Sequence, residues 1–163
     1  MEKFDAIRPY RVEEIKEVLE RLLKDRDFLG SVANFYYPRL TSVLPSPVTW
    51  LAERKLRSQL KDVYTVRAMQ DVIAEYMDKM IHDTTTKLTH SGMDNLEEGR
   101  NYLFISNHRD ITMDPAFVNY MLYHAGYETL QIAIGDNLLK EPFVTDLMRL
   151  NKSFIVQLSL IHI

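Results

Sequence analysis

The sequence predicts an α/β fold, with a helical N-terminal region followed by a truncated parallel-sheet core. Three observations lead there. Apolar residues recur at every third or fourth position from Val12 to about His82. Beyond Thr86 the apolar runs Tyr102–Ser106, Thr129–Ile134 and Ser153–Val156 alternate with helical stretches. The alternation then stops after the third run, in the middle of a unit.

Within the helical region, Ile15, Val18, Leu19, Leu22 and Leu23 define a first amphipathic helix, its other face filled by Arg and Glu. Leu29–Leu44 and Val48–Leu60 read as two more helices, separated by a break at Pro45-Ser46-Pro47. Val66, Met69, Ile73, Tyr76 and Met80 define a fourth, ending near Asp83–Thr86. Lys87–Ser91 reads as a short strand and Asp94–Arg100 as a turn. The run Tyr102-Leu103-Phe104-Ile105-Ser106 has the near-continuous apolarity of a buried parallel strand. Pro115–His124 reads as a helix stopped by Gly126, Thr129–Ile134 as a second strand, Pro142–Leu150 as a helix and Ser153–Val156 as a third strand. The strands Tyr102–Ser106 and Thr129–Ile134 are expected to be neighbours, with Pro115–His124 crossing between them.

Three segments follow: a helical region at 1–85, a partial α/β core at 86–157, and a tail at 158–163. The tail Leu158-Ser159-Leu160-Ile161-His162-Ile163 is the hexapeptide encoded by CTG TCT CTT ATA CAC ATC, a transposon end used to build sequencing libraries. It is expected to be non-native, and the natural chain to continue past residue 157.

Composition narrows the function classes. Apolar residues make up 46% and charged residues 26% of the 163, the balance of a globular chain. Twenty basic residues against 23 acidic ones give a net charge of −3, so no basic excess points to nucleic acid. The absence of cysteine excludes disulfides, thiolate catalysis and cysteine-ligated metals, and is compatible with a cytoplasmic address. Met1–Arg8 has no apolar run behind its charges, unlike a secretory signal, and no stretch approaches the roughly 18 apolar residues of a membrane span. Contact with a membrane would be made from its surface. The aromatic stretch from Phe28-Leu29 to Phe35-Tyr36-Tyr37, with Val48-Thr49-Trp50-Leu51, reads as helix packing rather than as a membrane anchor.

The chemistry concentrates at Ser106-Asn107-His108-Arg109-Asp110-Ile111-Thr112-Met113-Asp114, directly after the first predicted strand of the core. Ligands of open α/β sheets bind at the carboxyl ends of strands. A histidine there can take a proton from a hydroxyl, and needs a carboxylate to fix its tautomer and stabilise the imidazolium. Asp110 follows closely in what reads as an extended loop. Asp114 opens the next helix and can point back to His108. Asp114 before Pro115 is also an N-cap with proline at the first helical position, and both roles can hold together. His108-Arg109-Asp110 matches the kinase catalytic triplet, but Pro115 stands where that triplet needs Asn, and no glycine-rich loop is present. His82, His90 and His124 lack metal-ligand spacing and read as surface or half-buried residues.

Asn107-His108 followed by Asp114 after an apolar strand resembles the first motif of the glycerophospholipid acyltransferases that acylate lysophosphatidate. Gly92-Met93-Asp94-Asn95-Leu96 is similar to the lead-in to that motif. Ala133–Leu139 and Leu150–Val156 are similar to the segments leading to the second motif. Five residues separate His108 from Asp114 where the family has four. Gln157 stands where the family has arginine, and no Glu-Gly-Thr-Arg motif follows.

The resemblance implies an acyltransferase with His108 as base and Asp114 as its partner. Asn107, Arg109 and Asp110 would bind substrate. The acyl group would pass from a thioester of CoA or acyl carrier protein to the hydroxyl of a lysophospholipid or glycerol phosphate, with 1-acylglycerol-3-phosphate the expected acceptor. It implies no cofactor, no metal and no covalent acyl-enzyme. It also implies phospholipid biosynthesis in the cytoplasm or on the inner face of the cell membrane, and poor activity in a chain lacking the later motifs. The rival reading is a non-catalytic helical adaptor whose α/β part is a docking platform. A small hydrolase using the same His-Asp pair ranks third, because no Gly-x-Ser-x-Gly elbow is present.

Overall fold

The computed structural model describes residues 4–107 and 109–158. In chain order the elements are α1 (Val12–Leu22), α2 (Arg26–Tyr36), α3 (Pro38–Thr41), α4 (Pro45–Leu60), α5 (Val66–Thr84), α6 (Met113–His124), β1 (Ala133–Gly135), α7 (Pro142–Leu150) and β2 (Phe154–Val156). Single 3-10 turns occupy Met93–Asn95 and Asp136–Leu138. The chain forms two units: Met1–Val72 with Gln131–Ile163, and Ile73–Leu130.

In the first unit, Ile15, Val18, Leu19 and Leu22 of α1 are buried, as their spacing predicts. Asp25 caps α2 by accepting the Phe28 N–H at 2.8 Å. The helix expected over Leu29–Leu44 breaks at Tyr37 (φ −136°, ψ 56°), because Pro38 disfavours helical backbone in the residue before it. Conversely, Pro45 and Pro47 begin α4 instead of interrupting the chain. Both lie in the first turn, where the missing N–H has no intrahelical acceptor to lose. Val48, Ala52, Leu56 and Leu60, each four apart, form the buried stripe of α4. The expected packing of the aromatic stretch is therefore only half realised. Phe28, Leu29 and Val48 are buried, whereas Trp50 and Leu51 stay on the surface. Among the described residues no helix is long and apolar enough to cross a membrane.

The α/β character of this unit rests on one β-α-β arrangement. β1 and β2 pair in parallel, Ala133 opposite Phe154 and Gly135 opposite Val156, with α7 in the connection. Lys152, at φ 65°, makes the left-handed turn out of α7, and the Ser153 N–H donates back to Met148 O at 3.0 Å. The segment before α1 then runs against this arrangement. The Ile155 N–H donates to Ile7 O at 2.8 Å, and Arg149 Nε and Nη2 donate to Arg8 O and Asp5 O.

One carboxylate joins α1 to α7. Asp146 is buried, yet it accepts the Tyr10 hydroxyl at 2.6 Å and two guanidinium N–H groups of Arg21 at 2.7 and 2.8 Å. Burial alone would raise its pKa, but the bonds from Arg21 and Tyr10 outweigh burial and hold it below the usual carboxylate range. Burial, with the bond to Asp146, pushes the Tyr10 hydroxyl up to about 12. Nearby, the hydrogen-bonded Arg8 guanidinium brings Glu14 down to about 2.

The second unit contains most of α5, the 3-10 turn and α6. Tyr120 donates to Asp78 at 2.7 Å, Tyr127 donates to Leu96 O at 3.1 Å, and the Leu130 N–H donates to the buried Asn119 side chain at 2.8 Å. α6 ends where the sequence places its stop. Gly126, at φ 83°, donates to Tyr123 O, and the Tyr127 N–H reaches Leu122 O, the paired bonds of a glycine-terminated helix.

Two expected strands are corrected. Lys87–Ser91 carries no strand, and neither does Tyr102–Ser106. The latter is solvent-exposed: Leu103 is 85% and Ile105 86% accessible, while the Tyr102 and Phe104 rings lie 6.5 Å apart and half-exposed. An apolar run with high β-propensity forms a strand only against a neighbour that accepts its hydrogen bonds. The parallel neighbour of β1 is β2, and the helix that connects them is α7.

Both carboxylates at the α1 end are shifted down, so their contribution is full above the ordinary carboxylate pKa and is lost as pH falls. Acid titration of the purified chain should show stability declining between about pH 4.5 and 2. Asp146→Asn should lower unfolding free energy at neutral pH by about 2 kcal/mol, because charge-assisted bonds to a buried carboxylate are lost. It should also flatten the acid limb. An unchanged denaturant midpoint would remove this pairing from the account of the fold.

Candidate functional site

His108 lies outside the described residues, and so does any contact it makes. The site is therefore built from its neighbours in the second unit. Asn107, Arg109 and Asp110 are exposed, while Asp114 is half-buried at the start of α6.

The five residues between His108 and Asp114 form a closed hydrogen-bonded turn, not the extended loop expected. Asp114 Oδ2 accepts the Arg109 N–H at 2.7 Å and the Asp110 N–H at 3.1 Å. In the other direction, Asp110 Oδ1 accepts the Thr112 N–H at 2.9 Å and the Met113 N–H at 2.7 Å. The Asp114 N–H closes the turn on Asp110 O at 3.2 Å. Asp110 thus satisfies the N–H groups of the N-cap and of the first helical residue, which have no partner within the helix, while Asp114 satisfies two N–H groups of the turn ahead of it.

This exchange reverses the local roles read from the sequence. α6 begins at Met113, two residues before the expected start, and the residue at its N-cap, Thr112, makes no side-chain bond. Asp114 is consequently the second helical residue and Pro115 the third. The capping is done by Asp110, whose bonds to Met113 and Thr112 hold its pKa below the ordinary value. A signal for it was present: Asp two residues before the cap is the pattern of an Asx turn. Asp114, freed from capping, turns its carboxylate back along the chain to the N–H of the residue that follows His108.

Of the residues expected to act together, Asp110 and Asp114 are brought into one hydrogen-bonded turn with the backbone of Arg109. The Arg109 and Asn107 side chains stand in solvent. The other described histidines lie elsewhere. His82 and His90 are exposed, and His124 sits 3.4 Å from Asp78 with its ring 4.3 Å from that of Tyr120. The bond to Asp78 raises the Tyr120 pKa.

A carboxylate held by the N–H groups of the turn that precedes its own helix can orient an imidazole and balance its positive charge. It can do so without itself taking up the proton.

Asp110→Ala should release the Thr112 and Met113 amides. Hydrogen exchange followed by mass spectrometry or NMR should show both losing protection while amides in the middle of α6 keep theirs. Equal protection in the variant would mean that the turn is held by something other than Asp110.

Residues 87–159 match the family model described as Acyltransferase. The match spans residues Asn107 to Asp114, together with α6, α7 and both strands. No curated protein sequence and no solved structure matches the chain.

Proposed function

We propose that this protein transfers a fatty acyl group from a thioester, on CoA or acyl carrier protein, to the hydroxyl of a lysophospholipid or glycerol phosphate. In this reading His108 is the base and Asp114 its orienting carboxylate. The observation that carries it is the pair of bonds from the Arg109 and Asp110 N–H groups to Asp114 Oδ2, which hold the carboxylate against the residue next to His108.

Neutral His108 removes the acceptor's hydroxyl proton as the oxygen attacks the thioester carbonyl. The O–H bond breaks, a C–O bond forms, and the carbonyl electron pair moves to oxygen. Collapse of the tetrahedral intermediate breaks the C–S bond, and the thiolate takes the proton from the His108 imidazolium. Proton and electron count close, with ester and free thiol as products. Asp114 stabilises the imidazolium between the two steps. Arg109, exposed beside the turn, is suited to the acceptor's phosphate. Asp110 serves by holding the turn.

The test expresses the full reading frame of the gene and supplies 1-acylglycerol-3-phosphate with an acyl-CoA or acyl carrier protein, following free thiol. His108→Ala should lower kcat by roughly 10²- to 10⁴-fold, the range of a lost general base. Asp114→Asn should lower it comparably, with KM little changed. Arg109→Ala should instead act mainly on KM for the phosphorylated acceptor. Thiol release that survives His108→Ala would dismiss the catalytic assignment. Failure to release thiol with any lysolipid would favour the adaptor.

A further inference from the structure

Leu40, near the end of α3, and Val43 and Leu44, in the turn before α4, are 53%, 72% and 56% exposed. On the first two turns of α4, Trp50 is 56% and Leu51 47% exposed. The burial of α4 explains why these do not pack. Val48, Ala52, Leu56 and Leu60 occupy one stripe, and the positions of Trp50, Leu51 and Arg54 fall on the opposite side of a 3.6-residue helix. Nearly every residue from Pro38 to Pro47 is exposed, so the apolar side chains of the turn and of the outer face of α4 form one surface region.

That region is locally basic. Between Phe28 and Lys61 the sequence has five basic residues (Arg39, Arg54, Lys55, Arg57, Lys61) against the single acid Glu53. Arg57 is engaged by Glu53 and Glu20 and Lys61 by Asp62, so the positive charge of this surface comes from Arg39, Arg54 and Lys55. Arg54 lies over the Trp50 ring at 5.8 Å, and Lys55 over the Tyr36 ring at 3.6 Å. Large apolar tips with an indole and flanking cations are the composition that settles into the headgroup region of a bilayer, apolar atoms down and charges level with the lipid phosphates. A protein partner of ordinary surface would need no such concentration of cations.

We propose that the α3–α4 turn and the outer face of α4 dock on a bilayer carrying anionic headgroups, with Leu40, Val43, Leu44 and Trp50 entering the interface and Arg39 and Arg54 meeting the phosphates. The inference concerns the first unit and does not rest on the acyl-transfer reading.

Trp50 is the only tryptophan, so its fluorescence reports this surface alone. The experiment adds vesicles of phosphatidylcholine with phosphatidylglycerol, or of phosphatidylcholine alone, to the full chain without substrate. Anionic vesicles should shift the emission to shorter wavelength, brominated acyl chains should quench it, and raised salt should weaken binding. The double variant Val43→Glu, Leu44→Glu should bind at least about 10-fold more weakly. Arg39→Glu, Arg54→Glu should abolish the preference for anionic lipid. Circular dichroism confirms that each variant is folded. The proposal fails if emission does not respond to vesicles, if the variants bind like the parent, or if both lipid compositions bind equally. It also fails if the shift appears on raising protein concentration without lipid, which would assign the surface to a second copy of the chain.

Discussion

Taking a carboxylate out of water costs several kcal/mol unless its oxygens are met by donors, and the first unit meets that cost at Asp146 with three. Tyr10 and Arg21 come from the beginning of the chain, Asp146 from near its end. Their bonds therefore close a sequence separation of more than a hundred residues. Around this closure the other long-range contacts fall into place. Arg149 on the same helix holds the carbonyls of Asp5 and Arg8 and stacks on the Tyr10 ring at 4.1 Å, and Ile7 accepts from β2. Two short strands with three registered pairs would be marginal by themselves. They are held because the helix joining them is fixed by a charged, fully bonded group.

The turn at the candidate site uses the same device at smaller scale. Two aspartates each accept two backbone donors, and each thereby fixes the other's surroundings. Counted along the chain, five residues between His108 and Asp114 look like too loose a tether for a catalytic pair. Folded into a closed turn, they return the carboxylate to the backbone beside the histidine. Sequence spacing is thus a poor measure of separation wherever an Asx turn shortens the path.

How much was legible follows from which forces are local. α1, α5, α6 and α7 were readable because amphipathic spacing, Gly126 and Pro142 act within a few residues. The proline positions misled because the same residue can end one helix or begin the next. Pro38 stops α2 through its effect on Tyr37, whereas Pro45 starts α4. Tyr102–Ser106 was read as a strand from its apolarity, but whether an extended run is paired depends on a neighbour that its own residues do not specify. That Asp114 can point back along the chain was visible in the sequence. The exchange of capping between Asp110 and Asp114 was only half legible: Asp110 stands where an Asx turn places it, but either aspartate suits the role and the backbone conformation of Thr112 decides. The pairing of Asp146 with Tyr10 and Arg21 left no local signal at all.

The exposed segment from Asn101 to Asn107 contains no charge, no proline and no glycine, and leads directly into the turn that holds Asp114. Such a stretch is a template for cross-β stacking with other copies of itself. Pairing of this kind rises with protein concentration, because it needs a second copy of the chain. The chain's solubility and the integrity of its candidate site are consequently bound together. Because residues 101–107 run straight into the turn of Asp110 and Asp114, pairing of this segment with another copy would also alter the approach to that turn.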